Sequence, residues 1–490
     1  MKILLVAPRT PETFWSFRYA LRFVGRKAAL PPLGLLTVAG MLPRRWELRL
    51  VDLNVRQLRD CDLKWADAVL VSGLLIHRDS VLETAARAQA LGRTVIAGGP
   101  LITGPDDRLP HVDAVVAGEA EELIERLCRD LGRGELRAAY VADGFPDITR
   151  TPAPRWDLVR LEDYASLALQ FSRGCPFDCE FCDIVALNGR VPRLKTPAQM
   201  VAELEVLRLL GWRGTVFIVD DNFIGNRRMV KELLRSIIGW RRDTGAQMTF
   251  YTEASVNLAD DPELLQLMVA AGFKKVFLGI ETPDCEALKQ CRKVQNTGRD
   301  LVKVVHELQG AGLEVMGGFI VGFDDDQPDI FTRQFEFIQQ AGVVTAMVGL
   351  LQAVPRSRLY QRLACEGRLL GESLGDNTRS ALNFETRLPR EFLIENYRRL
   401  MHRLYEPHAY YQRARAFLAQ YRPGGPPGHH SHQDVQALFK SLWLLGVVHR
   451  GRRAFWRFCM ATLLRQPARF GLAITLAIYG HHFRQVSRTL

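Results

Sequence analysis

Apolar residues in the first quarter of the chain fall in short unbroken runs: Lys2–Ala7, Leu48–Asp52, Ala68–Ser72, Thr94–Ala97 and Ala114–Ala117. Between them, Leu33–Leu42 and Ser80–Leu91 read as helices. Strands that do not alternate with polar residues are covered on both faces, which is the signature of a parallel sheet between helical layers. Residues 1–135 therefore predict a doubly wound, Rossmann-like α/β domain. Such a sheet takes its ligand at the C-terminal ends of its strands. The turns there are Pro8–Thr10, Gly73–His77, Gly98–Thr103 and Gly118–Ala120. No Gly-x-Gly-x-x-Gly follows the first strand, so the dinucleotide fingerprint is absent. The run at Met1–Ala7 is too short for a signal peptide, and no small-residue cleavage site follows it. A buried strand in a cytoplasmic protein is expected.

Residues 136–165, with Pro146, Pro152 and Pro154, read as a connector. A second series follows over 166–380, with strands at Ala168–Ser172, Thr215–Val219, Met248–Thr252, Lys275–Gly279, Glu314–Val321 and Thr345–Leu350. Helical segments such as Pro197–Leu210 and Arg228–Thr244 separate them. Six βα units in series predict a partial (β/α)6 barrel. The strand signal stops in a third region, 381–490, which reads as helical and basic. Leu388–Tyr421 is expected to be one helix, Arg422–His432 a Pro/Gly/His linker, and Gln433–Leu490 helical again.

With 490 residues, 47% apolar and 24% charged, the composition is that of a globular protein of two or three domains. The net charge of +11 fits an anionic membrane, an anionic substrate, nucleic acid or a solvated arginine-rich surface equally well. No nucleic-acid partner is expected. Nine cysteines do not make a disulfide framework, but three of them fall within eight positions, which points to metal or redox chemistry.

Those three lie in Ser172-Arg173-Gly174-Cys175-Pro176-Phe177-Asp178-Cys179-Glu180-Phe181-Cys182, directly after a strand. A [4Fe–4S] cube normally takes four thiolates. Three leave one iron open to chelate a ligand. A zinc site would need a fourth Cys or His close by; the next histidine is His306, and Cys285 is distant in sequence. The spacing C-x3-C-x-aromatic-C resembles the signature of radical S-adenosylmethionine (SAM) enzymes, Phe181 included. That resemblance implies that Cys175, Cys179 and Cys182 hold the cluster. It also implies that Phe181 contacts SAM, that the acceptors Asp220, Asp221 and Asn222 meet its amino group, and that Glu253 accepts from the ribose hydroxyls. Gly318 and Gly322 would let backbone approach the adenine, although a glycine in a strand equally marks a bulge.

The whole chain resembles the cobalamin-binding class of that superfamily. The likeness is carried by Phe14-Trp15-Ser16-Phe17, Lys27–Ala39, Val51-Asp52-Leu53-Asn54, Gly98-Gly99-Pro100, Val219–Gly225 and Ala477-Ile478-Tyr479-Gly480. It is similar to the hopanoid C-2 methylases and the bacteriochlorophyllide side-chain methylases, which share this layout. The resemblance implies a cobalamin site on Pro8, Ser72, Gly73, His77, Gly98, Gly99, Pro100, Gly118 and Glu119. Classical cobalamin domains place Asp-x-His-x-x-Gly after the first strand; here Ala7-Pro8-Arg9-Thr10-Pro11 stands there, with no histidine before His77. A base-off methylcobalamin without a lower histidine from that loop is expected. The implied reaction is methylation of an unactivated sp3 carbon of a large apolar substrate, a hopanoid at C-2. The alternatives are a bacteriochlorophyllide side chain, or a ring closure or rearrangement without methyl transfer. An external one-electron donor, ferredoxin or flavodoxin, is required.

The tail has apolar segments at Leu442–Leu445 and Phe470–Gly480, with arginines around and between them. Neither reaches the ~20 residues of a spanning helix. Two readings stay open: a basic amphipathic segment on an anionic membrane surface, peripheral to the inner face of the cytoplasmic membrane, or a helical lid on the barrel. Cys61, Cys128, Cys285, Cys291, Cys365 and Cys459 have no assigned role.

Overall fold

The computed structural model describes residues 1–104, 106–373, 375–376, 382–426, 428 and 432–490. Two six-stranded parallel sheets follow one another along the chain. In the first, the strands Lys2–Ala7, Glu47–Asp52, Ala68–Ser72, Thr94–Gly98, Ala114–Ala117 and Ala139–Val141 stand in the spatial order two, one, three, four, five, six. The order reverses between the first and third strands, which leaves a crevice at their C-terminal ends. The sixth strand belongs to the stretch expected as a connector. It is only three residues long and buries only Tyr140, whose hydroxyl donates to Asp130, so its apolar run Ala138–Ala142 is short and small-sided beside those of the other strands.

The second sheet runs Ser166–Leu169, Thr215–Ile218, Thr249–Ala254, Phe273–Glu281, Glu314–Val321 and Thr345–Leu350 in sequential order, the open (β/α)6 arrangement. Its first strand ends at Leu169 because the chain leaves the sheet there. Ser172–Arg173 then pairs antiparallel with Arg193–Leu194, and this small ribbon holds the cysteine loop between its arms. The strands alternate. Val216, Ile218, Phe250, Val276 and Leu278 are fully buried against the helices. Their neighbours Phe217, Tyr251 and Phe277 stand half-buried on the opposite, concave face.

The expected single helix over Leu388–Tyr421 is two, Arg390–Tyr405 and Pro407–Gln420. Pro407 has no N–H to continue the first helix but suits the first turn of the second. Glu406 caps that turn by accepting from the His408 and Ala409 amides. The tail forms His432–Trp443, continued by one π turn at Leu444–Val448, then Arg452–Arg465 and Phe470–Ser487. Phe470–Ser487 is packed against protein. Ala473, Leu476, Ala477 and Phe483 are buried, and Lys275 Nζ reaches Tyr479 Oη at 3.3 Å from the barrel. This helix is therefore covered by the rest of the chain. Part of the linker, Pro427 and 429–431, lies outside the described residues. Among the described residues no helix is long and apolar enough to cross a membrane.

Candidate active site

The cysteine loop is fixed from below by the turn after the second barrel strand. Asp220 accepts from Phe171 N at 2.8 Å, Ser172 N at 2.9 Å and Ser172 Oγ at 2.6 Å. Asp221 accepts from Gly174 N at 2.8 Å and Asn188 Nδ2 at 2.9 Å. The two carboxylates expected to face a ligand ammonium are thus occupied in shaping the loop. Burial pushes the Asp220 carboxyl up to about 7, against the pull of its three donors. Gly174 has φ +100°, and a Cβ there would meet the Asn188 and Gly189 carbonyls at 2.9 Å, so only glycine fits. Asn222 stays with the thiols: its Nδ2 lies 3.9 Å from Cys175 Sγ and 3.2 Å from Ser255 Oγ.

Cys175, Cys179 and Cys182 are close enough for the Cys179 charge to raise the other two thiols, after burial as the main cause. Among the described residues no set of three His, Cys, Asp or Glu closes round a single metal ion. In a [4Fe–4S] cluster each thiolate would hold a different iron rather than one shared ion. Two further groups, which no spacing motif singled out, face the thiols. Gln295 Nε2 points at Cys179 Sγ from 3.7 Å. Lys293 lies 2.7 Å from Glu281 and 5.7 Å above the Phe181 ring. Burial alone would lower its ammonium, but Glu281, Cys179 and Cys182 outweigh this and hold it above the usual range. Glu253 stands nearby; burial, then Asp221 and Asp220, raise it to about 7. Thiols with N–H donors and an ammonium beside them form a suitable cradle for an anionic iron–sulfur cluster. The sequence trace of this second layer is slight: Lys293, Gln295 and Asn296 flank Val294 in a short 3-10 turn, where Gln295 and Asn296 are buried.

Of the two glycines expected to admit the adenine, Gly318 faces the Phe277 ring, 2.7 Å from where its Cβ would be. Gly322 opens a turn in which its amide and that of Phe323 donate to Asp326. Below the cysteines the concave face is aromatic: Phe217 and Tyr251 stack at 4.4 Å, and Trp15 from the first domain reaches Phe277 at 5.2 Å.

At the strand ends of the first domain, Pro8, Ser72, Gly73 and His77 come together with Gly98, Gly99 and Pro100. Leu101 N donates to Gly73 O, and Asn54 Nδ2 donates to Pro8 O. A Cβ on Gly99 would meet Gly73 O at 2.9 Å, and one on Gly118 would meet Ala142 at 2.8 Å. Both glycines are therefore required by the chain's own packing. His77 Nδ1 accepts from Leu74 N at 3.1 Å, which leaves the proton on Nε2, 3.3 Å from Thr10 Oγ1. With both nitrogens engaged, His77 has no lone pair directed at a metal. Burial also lowers it, keeping the ring neutral. Glu119, expected at the cobalamin, instead pairs with Arg173 and Arg193, while Glu121 pairs with Arg173 at 2.9 Å. This network joins the first domain to the residue that precedes Gly174-Cys175.

Three family profiles match the chain: a B12 binding domain over residues 23–128, the radical SAM superfamily over 169–338, and a domain of unknown function over 357–490. An uncharacterized methyltransferase of Synechocystis sp. is 43% identical over 99% of this chain and 92% of its own length. A hopanoid C-2 methylase of Rhodopseudomonas palustris is 36% identical over 95% of this chain and 90% of its own. Among solved structures, the cobalamin-dependent SAM radical enzyme OxsB with aqua-cobalamin bound shares the fold, with a TM-score of 0.62 at 13% identity, covering 100% of this chain and 81% of that one.

Proposed function

Because the chain belongs to the cobalamin-dependent radical SAM methyltransferases, we propose that it methylates an sp3 carbon of a large apolar acceptor, specifically a hopanoid at C-2. The observation that carries the apolar acceptor is the aromatic concave face of Phe217, Tyr251 and Phe277 beneath the cysteines, completed by Trp15 from the first domain. The name of the 36% identical relative favours the hopanoid. In this reading Cys175, Cys179 and Cys182 would hold a [4Fe–4S] cluster, and the turns at Pro8, Ser72–Gly73 and Gly98–Pro100 would hold the cobalamin. The cluster supplies reductive cleavage of SAM, and the cobalamin supplies the methyl group.

The chain's own residues do the rest. Asp220 and Asp221 fix the loop that presents the thiols. Lys293 offers a cation beside the cluster, suited to the SAM carboxylate. Glu253 remains as an acceptor for hydroxyl groups, while Asn222 is held beside Cys175 by its exchange with Ser255 Oγ. The aromatic face excludes water from the reacting carbon. Electrons come from a ferredoxin or flavodoxin. The test is anaerobic purification, loading with iron, sulfide and methylcobalamin, and incubation with SAM, reductant and an unmethylated hopanoid. A product one CH2 heavier, methylated on ring A, is expected, with cluster and product both lost in Cys179→Ala. Methylation of a bacteriochlorophyllide but not of the hopanoid would overturn the acceptor. Turnover of SAM without an added CH2 in any product would overturn methyl transfer.

A further inference from the structure

Most of the net positive charge is carried by one segment. Val435–Leu490 has nine Lys and Arg and no acidic residue, against a net +11 for the whole chain. Part of that charge lines a cavity of about 710 Å³ at the turn between the π segment and the helix Arg452–Arg465. Its walls carry Arg450, Arg453, Arg484, Arg488, His408 and His449. The one acid there, Glu406, is engaged with the His408 and Ala409 amides. Arg450, Arg453 and Arg488 make no ion pair among the described residues. Arg484 Nε donates to Tyr405 O, while its Nη2 is buried with no partner. Unpaired guanidinium groups converging on one hollow form a site for an oxyanion, above all a phosphate.

The surface beside the cavity is apolar. Val435, Phe439, Trp443 and Val447 recur at every fourth residue and are exposed, Trp443 by 63%. Trp456, Met460, Leu463 and Leu464 form a second exposed row on the following helix, Leu464 by 77%. Trp456 Nε1 donates to Gly446 O at 2.9 Å, which lays the two rows side by side. Val448, exposed at the end of the first row, also lines the cavity. A contiguous apolar face of this kind marks an interaction site. Aromatic and aliphatic side chains rimmed by arginines, with Asp434 and the capping Glu406 as the acids beside them, complement a bilayer interface of anionic lipid.

We propose that this helical hairpin docks on an anionic phospholipid bilayer, with a lipid headgroup phosphate held in the arginine cavity and the two apolar rows seated at the acyl boundary. The proposal does not depend on which acceptor the barrel methylates. It is tested with the full-length, cofactor-loaded protein by flotation with vesicles of phosphatidylcholine alone and with added phosphatidylglycerol, and by calorimetry with soluble glycerol phosphate. The wild type is expected to float with the phosphatidylglycerol vesicles and to lose this in high salt. Arg450→Gln/Arg453→Gln should weaken flotation roughly tenfold or more, and the effect on glycerol phosphate should run in parallel. Phe439→Ser/Trp443→Ser should lose flotation but keep glycerol phosphate binding. Unchanged cluster and cobalamin content would show that both variants fold. Equal flotation with the two vesicle types, or no effect of the arginine variant, would overturn the proposal. Tight binding of glycerol phosphate without any flotation would also overturn it, by assigning the cavity to a soluble phosphate.

Discussion

Buried side chains whose charge is matched to one arrangement make the sharpest tests. Asp220 faces three donors and no acceptor. An asparagine would aim an NH2 at one of them, and a buried donor facing a donor costs about 1–3 kcal/mol. Asp220→Asn is therefore expected to lower iron bound per chain several-fold while the circular dichroism spectrum stays native. His482 and His481 give a pH test. Burial first, then for His481 its neighbours His449, Arg484 and Arg488, lower them to about 4 and about 3. In the unfolded chain they titrate near 6.5, so as pH falls the unfolded state takes up protons that the folded state refuses. Their contribution is complete above about pH 6.5 and declines from there towards about pH 4, by on the order of 1 kcal/mol per histidine for each unit. A Tm measured against pH should fall over that window, and His482→Gln should flatten the slope. A slope unchanged by the substitution would contradict the assignment.

Elements are held to one another by a few close contacts. The last helix, Phe470–Ser487, lies so near Pro407–Gln420 that a Cβ on Gly480 would strike the Tyr410 ring. Tyr410 Oη is itself bound to Leu476 O at 2.5 Å. Gly480→Ala is expected to lower stability by about 1–3 kcal/mol, as overpacking of a filled core does, read as a fall in denaturation midpoint. The same helix meets the start of the chain. Phe14 lies 5.5 Å from Phe483, Phe17 lies 5.5 Å from Tyr479, and His482 Nε2 donates to Phe14 O. The two stretches of resemblance at opposite ends of the sequence are thus one packing unit.

Across the whole molecule, the two sheets are coupled where the chemistry is proposed. Glu119 and Glu121 of the first domain hold Arg173 and Arg193 of the ribbon that carries the cysteine loop, all four side chains largely buried. Removing one partner leaves a buried charge uncompensated, at about 3–5 kcal/mol. Arg193→Gln should increase proteolysis of 142–165 and reduce methyl transfer while SAM cleavage persists. The same loss of both activities would place the residue in loop folding alone.

The strands, the cysteine loop and the family were legible in sequence because each rests on local signals: unbroken apolar runs, a fixed thiol spacing, motifs a few residues long. Three strands of the first sheet and two of the second carry the residue bounds read from the pattern. The uses of the polar residues were not legible. Asp220 and Glu119 look like ligands in a motif, and only the tertiary arrangement shows the donors that occupy them. Lys293 and Gln295 reach the thiols from more than a hundred residues away along the chain. The tail's two apolar segments read alike, yet Phe470–Gly480 is covered and the row through Trp443 is exposed. Hydrophobicity fixes that a face must be buried against something; which partner covers it is decided by contacts between distant parts of the chain.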